Sequence, residues 1–141
     1  MYREMSANNG WYVHDGFDEA FWGMSFDDDS WQKVDLPHSP TLFNPGYRQE
    51  GSHQKKAVYR RFFSVQKEEQ QRVALRFDGI ANSAEFYVDG SLAGSSRGPY
   101  LPYTLELGTQ AEFTLVVVTD AKEDPSIPPF GGSMDYLSFC G

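Results

Sequence analysis

Short stretches in which every second residue is apolar dominate this chain, and they constrain its fold more than any other feature. Arg72 to Phe77 shows the pattern cleanly: Val73, Leu75 and Phe77 face one way, while Arg72, Ala74 and Arg76 face the other. Leu101, Tyr103, Leu105 and Leu107 alternate likewise with Pro102, Thr104 and Glu106. Val58 to Val65 is aromatic and β-branched, with Tyr59, Phe63 and Val65 on one face and Arg61 interrupting it. Phe113 to Val118 is apolar on both faces late in the run, as expected of a central strand buried on both sides. Ala84 to Val88 runs into Asp89-Gly90, a dipeptide that favours tight hairpin turns. Trp11 to Val13 and Trp31 to Leu36 are two shorter candidates. Helical periodicity is weak throughout: the best candidate, Phe17 to Met24, spans only about two turns. Seven or so short strands separated by Gly, Pro, Asn and Asp turns predict an all-β sandwich.

Length and charge narrow the function classes. At 141 residues the chain is one ordinary domain, spanning residues 1–141. It is too short for an eight-stranded β/α barrel, which takes about 250 residues. The net charge of −8 repels phosphate backbones, so no nucleic-acid partner is expected. The longest apolar run, Leu115 to Val118, falls far short of the roughly 20 residues that span a bilayer, so no membrane role is expected either. The start, Met1-Tyr2-Arg3-Glu4, lacks the basic-then-apolar pattern of a signal peptide. The lone Cys140 excludes an internal disulfide and a cysteine-built zinc site.

Candidate chemistry is sparse. Asp27-Asp28-Asp29 lacks the alternate-position ligands, mid-loop Gly and distal Glu of a calcium loop, and reads as a solvated acidic turn. His14, His38 and His53 offer no short-range ligand pair, and His38 after Pro37 reads as a structural hydrogen-bonding group at a strand end. Ser39 and Ser95 lack a nucleophile elbow. Gly94 to Gly98 cannot be a phosphate loop, having neither the following Lys-Ser/Thr nor a βαβ setting. Trp11, Trp22 and Trp31, with eleven Phe and eight Tyr, could stack on sugars, but most are expected to fill the core. Tyr47, Tyr100, Phe130 and Tyr136 fall in loops and are the exposed candidates. Two long irregular stretches, Pro37 to Lys56 and Lys122 to Ser133, read as binding loops or as segments packed on a neighbour. Lys67 to Gln71 reads as a solvated turn. No catalytic residue, metal site or cofactor is nominated.

Six motifs in order say more. Trp31-Gln-Lys-Val-Asp-Leu-Pro-His38 resembles the Trp-x-x-Val-x-Leu-Pro-His signature near the start of glycoside hydrolase family two proteins. Tyr59-Arg-Arg-Phe-Phe63 is similar to the Tyr-Arg-x-x-Phe strand that follows it. Leu75 to Ile80 and Ala84 to Gly90 resemble the family's Leu-x-Phe-Glu-Gly-Val and Ala-x-Val-Tyr-Val-Asn-Gly strands. Gly94, Gly98, Tyr100, Pro102 and Tyr103 follow a Gly-x-x-x-Gly-Gly-Tyr-x-Pro-Phe pattern, with Pro99 replacing one glycine. Ile127-Pro-Pro129 and Asp135 to Gly141 resemble the closing Ile-Pro-Pro and Asp-x-x-x-x-Gly-Gly-Ile-Tyr-Arg segments, with Cys140 replacing the first glycine of the last.

The resemblance implies a jelly-roll, galactose-binding-domain-like sandwich, the N-terminal domain of enzymes such as β-galactosidase, β-glucuronidase and β-mannosidase. In that family an immunoglobulin-like domain and a catalytic barrel with two glutamates complete the enzyme; both would be partners of this chain. Asp135 is then the substrate-binding candidate, since in β-galactosidase-like members the matching aspartate reaches the barrel and holds the terminal sugar. Rival readings are a free-standing carbohydrate-binding module and a purely structural buttress. The chain stops at Cys140-Gly141, where the resemblance calls for Ile-Tyr-Arg, so the domain is expected to lack its last strand. Self-association through the resulting open edge is the expected outcome, checked by sedimentation velocity over a concentration series. Galactose is expected to bind no tighter than millimolar, roughly −4 kcal/mol, by titration calorimetry.

Overall fold

The computed structural model describes residues 3–15, 31–38, 56–80, 83–98, 101–121 and 126. Eight strands lie among them: β1 (Trp11–Asp15), β2 (Gln32–Val34), β3 (Lys56–Ser64), β4 (Val73–Phe77), β5 (Ser83–Val88), β6 (Ser91–Arg97), β7 (Tyr103–Gly108) and β8 (Glu112–Asp120). They form a six-stranded sheet in the order β2-β1-β3-β8-β5-β6 and a two-stranded sheet of β4 and β7, all antiparallel. The result is an all-β sandwich, as the alternation predicts, of the jelly-roll kind that the family resemblance implies.

Period-two alternation sorts side chains onto the two faces of the large sheet. Trp11 and Val13, Ala57, Tyr59 and Phe63, Ala84 and Phe86, and Phe113, Leu115 and Val117 point inward. There they meet Leu105 of β7 and the half-buried Val73, Leu75, Phe77, Tyr103 and Leu107 of the small sheet. The expected inward set of β4 is therefore on the core side. On the opposite face Trp31, Val58, Val116 and Val118 form a second buried cluster, flanked by Tyr12 and Tyr87. Buried residues on both faces of β8 match the expectation for a central strand.

Aromatic rings carry much of the inner packing. Phe63 stacks on Phe113 at 5.0 Å, with Trp11 edge-on to Phe63 at 5.8 Å. Phe86, fully buried, stacks on Tyr103 at 4.7 Å and meets Phe77 at 4.8 Å. Trp11 and Trp31 thus belong to the core, as expected of most aromatics here; Trp22 lies outside the described residues.

Strand β6 departs from the sequence reading, which has no strand between Val88 and Leu101. Ser91 to Arg97 carries no apolar alternation and is mostly exposed. It forms because the turn before it sends the chain back along β5. Asp89 (φ 49°) and Gly90 (φ 85°) both adopt positive φ, the geometry of a type I′ hairpin turn. Asp89 is fixed by its neighbours: its Oδ1 accepts from the Thr114 amide at 2.8 Å and its Oδ2 from Gln110 Nε2 at 2.6 Å. Gly94, paired opposite Phe86, leaves room for the Tyr103 ring; a Cβ there would collide with the Tyr103 hydroxyl. Lys67 to Gln71 is the expected solvated turn, closed by the Gln71 amide donating to the Glu68 carbonyl and the Glu68 amide donating to Gln71 Oε1. The helical candidate Phe17 to Met24, the acidic run Asp27 to Asp29 and nearly all of both long loops lie outside the described residues.

Burial ranks two core substitutions. Phe86→Ala is expected to cost about 3–5 kcal/mol, and Phe77→Ala less, because only the first ring is fully enclosed. Urea unfolding of both variants checks the order. Gly94→Ala is expected to lower the melting temperature as well, since the stacked Tyr103 ring would have to move.

Candidate functional site

The described residues build a cleft at one end of the sandwich, and its walls start with the chain's first segment. Trp11 Nε1 donates to the Ala7 carbonyl at 2.7 Å, and Arg61 Nη1 donates to the same oxygen at 2.6 Å. The interruption Arg61 makes in the apolar face of β3 is thus explained. Its guanidinium lies 4.4 Å from the Phe63 ring centroid and is half-buried, and burial lowers its pKa. Gly10 donates to Asp35 Oδ1 at 3.0 Å, and Leu36 to the Asn8 carbonyl at 2.6 Å, tying this segment to the stretch after β2.

His38 sits where the sequence reading places it, as a structural group. Its Nδ1 lies 2.9 Å from the Tyr59 hydroxyl. The rings meet edge-on at 5.8 Å, and the Leu36–Pro37 peptide before it is cis. The Leu-Pro-His stretch is therefore anchored to the Tyr59 of the next motif.

Between these anchors and the end of β4 opens a cleft of about 290 Å³. Trp11, Leu36, Pro37, Tyr59, Phe77, Ile80 and Val117 give it apolar walls. Asn8, Arg76, Asp78 and Thr119 are its polar members. Thr119 is buried and spends its hydroxyl on the Ala57 carbonyl at 3.2 Å. Arg76 Nε donates to Asp78 Oδ1 at 3.0 Å, with the two side chains 70% and 88% exposed. The pair is a surface ion pair of small energetic weight. It nonetheless holds donors and an acceptor at the mouth of the cleft.

The other sequence candidates fall elsewhere. His14 is on β1, half-buried, with its ring 5.5 Å from Trp31, on the side of the sheet away from the cleft. Ser95 is exposed on β6 opposite Glu85, without the strand-to-helix elbow of a nucleophile. Among the described residues no three His, Cys, Asp or Glu side chains gather as a metal site, and no helix is long and apolar enough to cross a membrane. Asp135, Ser39, His53, Tyr47, Tyr100, Phe130, Tyr136 and Cys140 lie outside the described residues. Sequence reasoning missed Asn8, Arg76 and Asp78. The Phe77-Asp78-Gly79 turn after a clean strand was the available signal.

Comparison with known proteins places this geometry. No family model matches the chain. A β-galactosidase from Thermoanaerobacter pseudethanolicus is 27% identical over 144 residues, covering 97% of this chain and 19% of that protein. A β-galactosidase from Thermoanaerobacterium thermosulfurigenes is 28% identical over 147 residues, covering 100% of this chain and 20% of its own length. The chain thus spans about a fifth of the curated relatives it matches. Among solved structures, Bacteroides uniformis β-glucuronidase superposes with a TM-score of 0.79 at 25% identity, over 97% of this chain and 16% of that one. A glycoside hydrolase family two member from Bacteroides cellulosilyticus gives a TM-score of 0.76 at 22% identity, over 99% of this chain and 19% of that one. Fold and matches together make the chain similar, over nearly its whole length, to one domain-sized part of large β-galactosidases and of a β-glucuronidase, and support a domain like those of glycoside hydrolase family two.

The anchors yield a check on this region. Arg61→Met removes a charged donor from the Ala7 carbonyl and is expected to cost about 1–3 kcal/mol. Tyr59→Phe, which loses the hydroxyl's contact with His38, is expected to cost about 1 kcal/mol. Chemical denaturation of both variants measures the two values.

Proposed function

We propose that the chain is the N-terminal domain of a retaining exo-β-glycosidase, β-galactosidase-like, where it buttresses the catalytic barrel and completes the substrate pocket. The observation that carries this is the end-to-end similarity to two β-galactosidases, of each of which the chain spans only about a fifth. The family reaction proceeds through a covalent glycosyl-enzyme, with one carboxylate as nucleophile and a second as acid/base. Both carboxylates belong to the barrel in this reading. The cleft of this chain presents one carboxylate, Asp78, already engaged with Arg76, which cannot supply the pair.

This chain's own contribution is Asp135. A carboxylate accepts strong, charge-assisted hydrogen bonds from sugar hydroxyls, so it suits holding a terminal sugar in register with the barrel's nucleophile. Support comes from its place in the Asp-x-x-x-x-Cys-Gly segment that follows the family pattern. In a preorganised pocket such a contact raises the rate only if it fixes the sugar where attack occurs.

Two outcomes test the proposal. The 141-residue chain should show no turnover of nitrophenyl glycosides above buffer background. In the full-length protein, Asp135→Ala should lower kcat/KM for a nitrophenyl β-galactoside by about 10- to 100-fold, the worth of a charged hydrogen bond. Inhibitor-sensitive hydrolysis by the chain alone, or an unaffected Asp135→Ala enzyme, would overturn it.

A further inference from the structure

The bend ahead of β1 joins Asn9 to Gly10, the one place in the sequence where an asparagine precedes a glycine. Neither the role given to Asp135 nor the cleft uses this pair. We propose that Asn9 is a latent self-modification site, which closes on the Gly10 nitrogen and reopens as isoaspartate, and that Asp35 holds the reaction in check.

The reaction needs only this chain and water. The Gly10 nitrogen bonds to Asn9 Cγ and the Cγ–Nδ2 bond breaks. The side-chain nitrogen leaves as ammonia, carrying the proton that Gly10 gives up, and a succinimide ring remains. Water then adds to either carbonyl of the ring. Addition on one side yields aspartate; on the other it yields isoaspartate, whose main chain runs through the side-chain carbon. Thermal lability of asparagine has this kind of origin. Asn9 is exposed, so water has access to the ring. Gly10 has no side chain to crowd the attack, and no atom beyond its chain neighbours lies within 4 Å of where a Cβ would stand. Its φ of +77° also keeps glycine at this position, since other residues are strained there.

Asp35 opposes the attack. Gly10 donates its N–H to Asp35 Oδ1 at 3.0 Å. The nitrogen becomes a nucleophile only on losing that proton, so the hydrogen bond favours the unreactive form. An anion formed there would also face a carboxylate. The Leu36 amide, donating to the Asn8 carbonyl at 2.6 Å, fixes the bend from the same stretch after β2. The product undoes this restraint. Isoaspartate lengthens the main chain between Asn8 and Gly10 by a carbon and adds a negative charge close to Asp35. Asn8 and Gly10 cannot then both keep their partners, and the tie between the opening segment and the stretch after β2 is lost.

Incubation of the 141-residue chain at mildly alkaline pH, in buffer and in urea, tests this. Mass spectrometry of digests reads conversion at Asn9, and labelling by an isoaspartyl methyltransferase marks the isomer. Conversion is expected in both, and slower in the folded chain. Asp35→Ala alters an exposed side chain. It should raise the rate in buffer about tenfold, the worth of a hydrogen bond to a charged group, and leave the rate in urea alone. Asp35→Asn keeps an oxygen acceptor without the charge and should fall between. Near-UV circular dichroism shows whether each variant is folded; if Asp35→Ala is not, Asp35→Asn alone decides. Chain converted in urea and then refolded should lose hydrogen-exchange protection at the Leu36 amide and keep it from Phe113 to Val118. Equal rates in buffer and urea would sink the inference. So would folded Asp35 variants no faster than the unaltered chain, or a Leu36 amide protected as before. No readout involves a glycoside, so the result is independent of the glycosidase proposal.

Discussion

Burial of β8 on both faces is the constraint from which the rest of the sandwich follows. Leu115 and Val117 fill the inner core while Val116 and Val118 fill the outer cluster, so no solvent-facing register is open to this strand. It pairs with β3 over nine residues on one side and with β5 over six on the other. Fixing β8 fixes which residues of β3 and β5 face inward. A one-residue slip would turn Phe113, Leu115 and Val117 to the wrong side, at a cost of several buried side chains, each about 1.5–3 kcal/mol.

The Ala7 carbonyl does a smaller version of the same task for the end of the molecule. One backbone oxygen collects Trp11 and Arg61, residues far apart in sequence, and so locks the opening segment across the sheet. Arg61 is tolerated on a core-facing position because its charge meets this oxygen and the face of Phe63. The cleft depends on that lock, since Asn8 and Trp11 form one wall of it. Structure and candidate function are coupled through a few polar contacts at the margin of an apolar core.

The division of labour in the proposed enzyme follows from the same layout. The domain's rigidity comes from a core of interlocking apolar and aromatic side chains, which suits it to the supporting role proposed for it. A sandwich holds its loops on a stiff frame, and residues that reach a neighbouring barrel are best placed on such loops.

Alternation determined β4 and β7, because a sheet with one buried face imposes a period of two on its residues, while the continuous apolar run of β8 and the aromatic and β-branched residues of β3 marked those strands. Asp89-Gly90 announced its own turn, since few dipeptides adopt positive φ twice without strain. The order of the short motifs pointed to the family before any geometry was available. Tertiary structure alone decided the rest. Ser91 to Arg97 has no strand signal and is a strand only because the hairpin turn lays it against β5. Arg61 looked like an interruption until the Ala7 carbonyl stood opposite it. The cleft was invisible for a related reason: Asn8, Tyr59, Arg76 and Val117 are separated by scores of residues, and only strand register, a product of long-range burial, brings them to one place.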